Sequence, residues 1–257
     1  MKTHGQAVSE QFDPQAQAYL TSAVHSQGPD LARARELVAA SIPAKGVGLD
    51  VGCGAGHLAF ALAPLVSRIV AVDASDSMLA TVRAAAAEKG LSNIETRQAS
   101  AEHLPFDDAS FCFAATRYSA HHWTDLSAAM AEMRRVVKPG GFVIVIDVEA
   151  PEDPLVDTHF QAIEFLRDRS HVRDRSEAEW RQEMHKAGIG FLGYAHWPTR
   201  IEFASWVERM RTPAAKVEVL RMIQAEAPRE VREVLAIEQD GSFTMRTSLF
   251  WGQVPRD

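Results

Sequence analysis

The chain has 257 residues, 46% of them hydrophobic and 24% charged, with a formal net charge of −7. That is the composition of a globular domain, and no run approaches the roughly 20 apolar residues of a bilayer-spanning helix. The acidic balance argues against a protein that grips long nucleic acid, which needs a basic face. In chain order, helices are expected over Pro14–His25 and Asp30–Ala40, broken at Gly28-Pro29. Strands at Val47–Val51, Arg68–Val72, Ile94–Arg97, Ser110–Ala115 and Phe142–Ile146 alternate with helices at His57–Leu65, Ser75–Gly90 and Asp125–Val137, the last capped by Thr124. This alternation predicts βαβ units and a parallel sheet covered by helices on both faces, an α/β fold. Beyond Glu149 a helix is expected at Leu155–Asp168. The capping box Ser176-Glu-Ala-Glu179 opens another, ending at Gly188. A strand at Ile189–His196, a helical stretch of roughly forty residues and a last strand at Ser242–Trp251 complete the pattern.

The two cysteines, Cys53 and Cys112, form no CxxC pair, so neither a zinc site nor a disulfide framework is expected, and no metal-ligand set is read. The first residues lack the apolar core of a signal peptide, and a cytoplasmic location is the expectation.

The strongest motif is Leu49-Asp-Val-Gly-Cys-Gly-Ala-Gly56, set between a strand and a helix. Glycines there let backbone approach a ligand, and the helix start offers free N–H groups. A dinucleotide fingerprint reads G-x-G-x-x-G. Here Gly56 comes one residue early and His57 takes the fingerprint position. Asp50, inside the preceding strand, suits an amino-acid ammonium better than a pyrophosphate, and Asp73, ending the second strand, suits two ribose hydroxyls.

With these residues the chain resembles the class I S-adenosylmethionine-dependent methyltransferases, in particular the ubiquinone/menaquinone C-methyltransferase-like group (methyltransferase domain 11 type). The matching segments are LDVGCGAG, VAVDAS, SAEHLPFDDASF, RYSAHHW and RRVVKPGG, over about residues 47–147, with weaker matches in RDRSHVR and SWVERMRTP. The resemblance implies a doubly wound, mostly parallel seven-stranded Rossmann-like sheet. It divides the chain into N-terminal cap helices (1–45), a cofactor-binding α/β core (46–150), the end of the core (151–200), a helical cap insertion (201–240) and the last strand (241–257). It also implies that Gly52, Cys53, Gly54, Gly56 and His57 wrap the methionine part with Asp50. Asp73 would bind the ribose, Ala74 and Met78 would pack on adenine, Ser100, Ala101 and Glu102 would line its edge, and Arg117 would contact the methionine end. Ala99 and Cys112 depart from the usual pattern, away from these contacts.

A sulfonium methyl group is transferred by direct displacement, so the protein has to align the acceptor and, for some acceptors, take up a proton. Arg117-Tyr-Ser-Ala-His-His-Trp123 leaves the fourth strand at the ligand-binding sheet edge. His122, then His121, is favoured as base or orienting group, with Tyr118 beside them; fixing the loop by hydrogen bonds is an equally good reading of either histidine. The long link before the last strand emerges at the same edge and predicts a helical cap over the substrate. Tyr19, His25, His171, Arg173, Trp206, Arg209 and Arg211 are the candidate substrate contacts, although the 167–175 run equally suits a salt-bridged loop. The expected partner is a small molecule, an acidic one included, with no nucleic acid and no membrane span. A homodimer is left open. Quinone-ring C-methylation, a non-catalytic cofactor-binding sensor or partner subunit, and a nicotinamide-dependent oxidoreductase stay open at this stage.

Overall fold

A computed structural model describes residues 3–12, 28–42 and 46–256. The helix expected over 14–25, with Tyr19 and His25, lies outside them. Among the described residues two helices, α1 (His4–Phe12) and α2 (Pro29–Ser41), precede the sheet. The core then runs β1 (Val47–Val51), α3 (His57–Leu62), β2 (Arg68–Asp73), α4 (Asp76–Glu88), β3 (Ile94–Gln98) and β4 (Phe111–Arg117). It continues through α5 (Leu126–Val136), β5 (Val137–Glu149), α6 (Pro154–Arg167), α7 (Glu177–Lys186) and β6 (Gly190–Ile201). Three short helices, α8 (Phe203–Arg209), α9 (Ala214–Ala225) and α10 (Arg229–Val234), lead to β7 (Phe243–Gln253).

The seven strands form one sheet in the order β3-β2-β1-β4-β5-β7-β6. β1 to β5 pair in parallel, and β7 runs antiparallel to both β5 and β6. Side chains alternate across a strand, and both faces are apolar because helices cover both. Leu49, Val51, Val70, Val72, Val143 and Val145 pack under α5 and α7 with Met130, Met133 and Trp180. Ile69, Ala71, Phe113, Ala115, Ile144 and Ile146 pack under α2, α3 and α4 with Val38, Leu62 and Leu79. Among the described residues no helix is long and apolar enough to cross a membrane.

Several boundaries differ from expectation. Asp125, not Thr124, caps α5: its carboxylate accepts from Ala128 N, while Thr124 Oγ1 donates to Glu102. The helix after the glycine turn is α-helical only to Leu62, then tightens into a 3₁₀ turn over Ala63–Leu65. β6 continues to Ile201 because its residues find partners along β7, as far as Ile201 opposite Phe243. The expected long helical stretch is three helices, with α9 and α10 each starting after a proline, Pro213 and Pro228.

Glu149 at the end of β5 lies opposite Arg246 near the start of β7. The 202–242 segment therefore leaves the sheet at the edge where the parallel strands end. Its own core, Phe203, Trp206, Leu220, Val231 and Phe243, packs on Val156, Phe160 and Ile163 of α6.

Candidate active site

Parallel strands β1, β2 and β4 end at one side of a cavity of about 310 Å³. Its floor is the glycine turn. Gly52, Gly54 and Gly56 have φ of 67°, 49° and 89°, the left-handed region that favours glycine. A side chain at Gly52 would start 1.9 Å from Ser119 Oγ, whereas at Gly54 there is nothing within 4 Å. The backbone at Gly54 is thus the exposed surface of the cradle.

Two carboxylates frame it. Asp73 Oδ2 accepts from Gly54 N at 2.8 Å and Oδ1 from Ser75 N at 2.9 Å, fixing the ends of β1 and β2 against each other. Asp50 is 1% exposed. Its Oδ2 accepts from Ala59 N at 2.9 Å, but its Oδ1 is buried with no hydrogen-bond donor among the described residues. Burial lifts its pKa from 3.8 to about 7, with Asp73 adding to the effect. A buried, unsatisfied carboxylate oxygen is costly unless a donor arrives. Beside a cradle of bare backbone, it fits a ligand that brings an ammonium group.

All the residues expected at the cofactor line this cavity except Gly56, which caps α3 from behind: Asp50, Gly52, Cys53, Gly54, His57, Asp73, Ala74, Met78, Ser100, Ala101, Glu102 and Arg117. Burial and the neighbouring carboxylates push the Cys53 thiol well up, which leaves it inert as a nucleophile. Arg117 is spoken for by a partner the sequence did not suggest. Its Nε donates to Asp30 Oδ2 at 2.5 Å in an ion pair with both side chains buried, and its guanidinium lies over the Tyr118 ring, 4.5 Å from the centroid.

Tyr118 and His122 also line the cavity; His121 does not. Tyr118 sits at a φ of 52° and shares a 2.9 Å hydrogen bond with Thr247 Oγ1. His122 Nδ1 lies 3.0 Å from the Ser170 carbonyl. A carbonyl only accepts, so Nδ1 carries the hydrogen and Nε2 keeps the lone pair. Burial and the adjacent His121 lower the His122 pKa to about 4. His121 turns away, its Nδ1 bonded to Asp147 Oδ1 at 2.6 Å. Burial acts to lower its pKa, but the Asp147 charge and hydrogen bond outweigh it and raise it to about 9.

The expected substrate residues that are described, His171, Arg173, Trp206, Arg209 and Arg211, are not brought to the cavity. His171 is buried and bonded through Nε2 to Gln161 Oε1 at 2.9 Å. Arg173 pairs with Asp157 and Glu179, the salt-bridged alternative for that run. Trp206 is 1% exposed in the core of the cap, edge-on to Phe243 and under the Arg167 guanidinium. Arg209 ends α8, and Arg211 is an exposed residue at a φ of 48°. Neither lines the cavity.

The wall that sequence reasoning missed comes from α1: His4, Gly5, Val8 and Phe12. His4 Nε2 lies 3.0 Å from the His122 carbonyl, and Phe12 meets the His122 ring edge-on at 5.0 Å. Gln11 Nε2 donates to Met210 O, joining α1 to the cap insertion. The i, i+4 spacing of Val8 and Phe12 was the available signal.

The methyltransferase domain family matches residues 49–145. The methyltransferase YcgJ of Bacillus subtilis strain 168, itself uncharacterized, is 35% identical over 246 residues, covering 94% of this chain and 96% of YcgJ. The chain belongs to the class I S-adenosylmethionine-dependent methyltransferase family. The YcgJ crystal structure superposes with a TM-score of 0.83 at 33% identity, covering 89% of this chain and 99% of YcgJ. The uncharacterized protein YafE of Escherichia coli K12 is 45% identical over 193 residues, 75% of this chain and 93% of YafE. Likeness to the ubiquinone/menaquinone C-methyltransferase UbiE of Teredinibacter turnerae is shorter: 35% identity over 121 residues, 46% of this chain and 49% of UbiE.

Proposed function

We propose that this methyltransferase holds S-adenosylmethionine on the glycine turn and methylates a small acceptor lying between that turn, Tyr118, His122 and α1. The observation that carries the reading is the orphaned, buried Oδ1 of Asp50 beside a cradle of bare backbone. An amino-acid ammonium supplies the missing donor. Asp73, oriented by two backbone N–H groups at the end of β2, is the carboxylate assigned to the ribose hydroxyls.

When bound, the sulfonium supplies a methyl carbon that passes to the acceptor as its bond to sulfur breaks. The chain's own part is alignment and proton uptake. The Ser170 carbonyl fixes the ring of His122, and its Nε2 lone pair is the group placed to receive an acceptor proton. The guanidinium in the cavity wall, Arg117, has its charge balanced by Asp30. That favours a neutral or weakly acidic acceptor over a strong anion.

Quinone-ring C-methylation is the second reading. The apolar lining of Val8, Phe12, Leu58, Met78 and Trp123 favours it, together with the partial likeness to UbiE.

Calorimetry with S-adenosylmethionine and S-adenosylhomocysteine tests the first claim. Both are expected to bind one per chain, and Asp73→Ala to abolish binding. Well-folded protein giving no heat with either would overturn it, and binding without turnover across a panel of phenols, amines and demethylated quinones would leave a sensor rather than an enzyme.

A further inference from the structure

Behind His122, outside the cavity, the fold buries more negative charge than it balances. Asp147, Glu164, Asp168 and Asp174 are each at most 7% exposed. The cations among them are Arg167, paired with Glu164, and His121, bonded to Asp147. Asp168 is satisfied by Ser170, whose N and Oγ both donate to its Oδ1. Asp174 is not: its Oδ2 is buried with no hydrogen-bond donor among the described residues. His171 Nε2 stands 3.8 Å away but is engaged with Gln161. An isolated buried carboxylate oxygen is among the most expensive groups a fold can keep.

We propose that His121, Asp147 and Asp174 form a binding site for a divalent transition ion of the zinc type. One donor atom from each lies within 4.8 Å of the other two. Ligands around one such ion, at about 2.0–2.2 Å and the tetrahedral angle, stand about 3.3–3.6 Å apart, so side-chain shifts of up to about 1 Å close the set. One imidazole with two carboxylates is a donor set that suits zinc or manganese(II) rather than a soft copper(I) site. The ion would supply the positive charge the four carboxylates lack. The three ligands come from the turn after β4, from β5 and from the loop before α7, so the ion ties that loop to the sheet end that carries His122. The site is independent of the methyl-transfer reading.

The test is metal content of the untagged chain, incubated with zinc or manganese(II), freed of unbound ion by gel filtration and analysed by mass spectrometry, with thermal melting in parallel. Wild-type protein is expected to retain about one equivalent and to melt several degrees higher with metal, since an ion that binds only the folded state stabilises it. Asp174→Asn should retain none and lose the metal-dependent shift, while without metal it should melt at least as high as wild type, because an uncharged amide replaces a carboxyl whose Oδ2 has no donor. His121→Gln should likewise retain none. Folded wild-type protein holding well below one equivalent of either ion would overturn the proposal, as would Asp174→Asn holding as much as wild type. Asp174→Asn that melts lower than wild type without metal would show Asp174 to be a structural group and would equally overturn it.

Discussion

Arg117 at the end of β4 and Asp30 in the first turn of α2 form a buried ion pair, with Nε 2.5 Å from Oδ2 and both side chains about 5% exposed. It fastens the helix that precedes the sheet to the strand end beside the cavity. Removing one member of such a pair strands the other charge in low dielectric, at a cost of about 3–5 kcal/mol. Asp30→Ala is expected to lower the denaturant midpoint accordingly, and Asp30→Asn, which keeps a hydrogen-bond acceptor, to lower it less. Urea unfolding of the three proteins checks this.

Asp50 gives a pH dependence with a definite sign. Its pKa rises from 3.8 to about 7 on folding, so the folded state holds a proton that the unfolded chain releases. The stability this represents is complete below pH about 4 and is lost as pH rises to about 7, a change on the order of 4 kcal/mol. Asp50→Asn should remove that slope and melt higher than wild type at pH 8. The same variant should lose S-adenosylhomocysteine binding. In wild type, affinity for that ligand should rise about tenfold between pH 6 and pH 8, as the carboxylate forms; calorimetry at the two pH values decides it.

Gly52→Ala meets two obstacles. The new methyl group would start 1.9 Å from Ser119 Oγ, and the backbone stays at a φ of 67°. The second alone costs about 1–2 kcal/mol. Cofactor binding should be lost in Gly52→Ala and only partly recovered in Gly52→Ala/Ser119→Gly, which relieves the collision but not the dihedral. Paired titrations separate the two contributions.

Trp206→Ala empties the core of the cap without touching the cavity wall. It should destabilise the protein by about 3–5 kcal/mol while leaving S-adenosylhomocysteine affinity unchanged at a temperature where the variant is folded. A large loss of affinity would place Trp206 in the site after all.

The sheet was legible in the sequence because its signals are local: short apolar runs, a glycine turn and the caps at Ser75 and Ser176, whose side chains accept from Met78 N and Glu179 N. The glycine turn that forms the cavity floor was legible for the same reason, since Asp50 to His57 lie within one turn. What failed depends on distant partners. Arg173 reads alike whether it meets a substrate or Asp157, and Trp206 alike whether it faces a ligand or Phe243. Asp30 reads only as the start of a helix because its partner, Arg117, lies far along the chain. The His121, Asp147 and Asp174 cluster carries no ligand spacing at all, its members being brought together only by the ends of β4 and β5 and the loop before α7.

The cavity wall built by α1 belongs to no strand and to no part of the nucleoside cradle. It is tied to the rest by His4 on the His122 backbone, Gln11 on Met210, Phe12 against the His122 ring and Glu10 paired with Arg169. On the proposed reading, this nine-residue helix faces the acceptor and not the methyl donor, so exchanging that one segment between relatives is expected to change what is methylated before it changes what donates the methyl group.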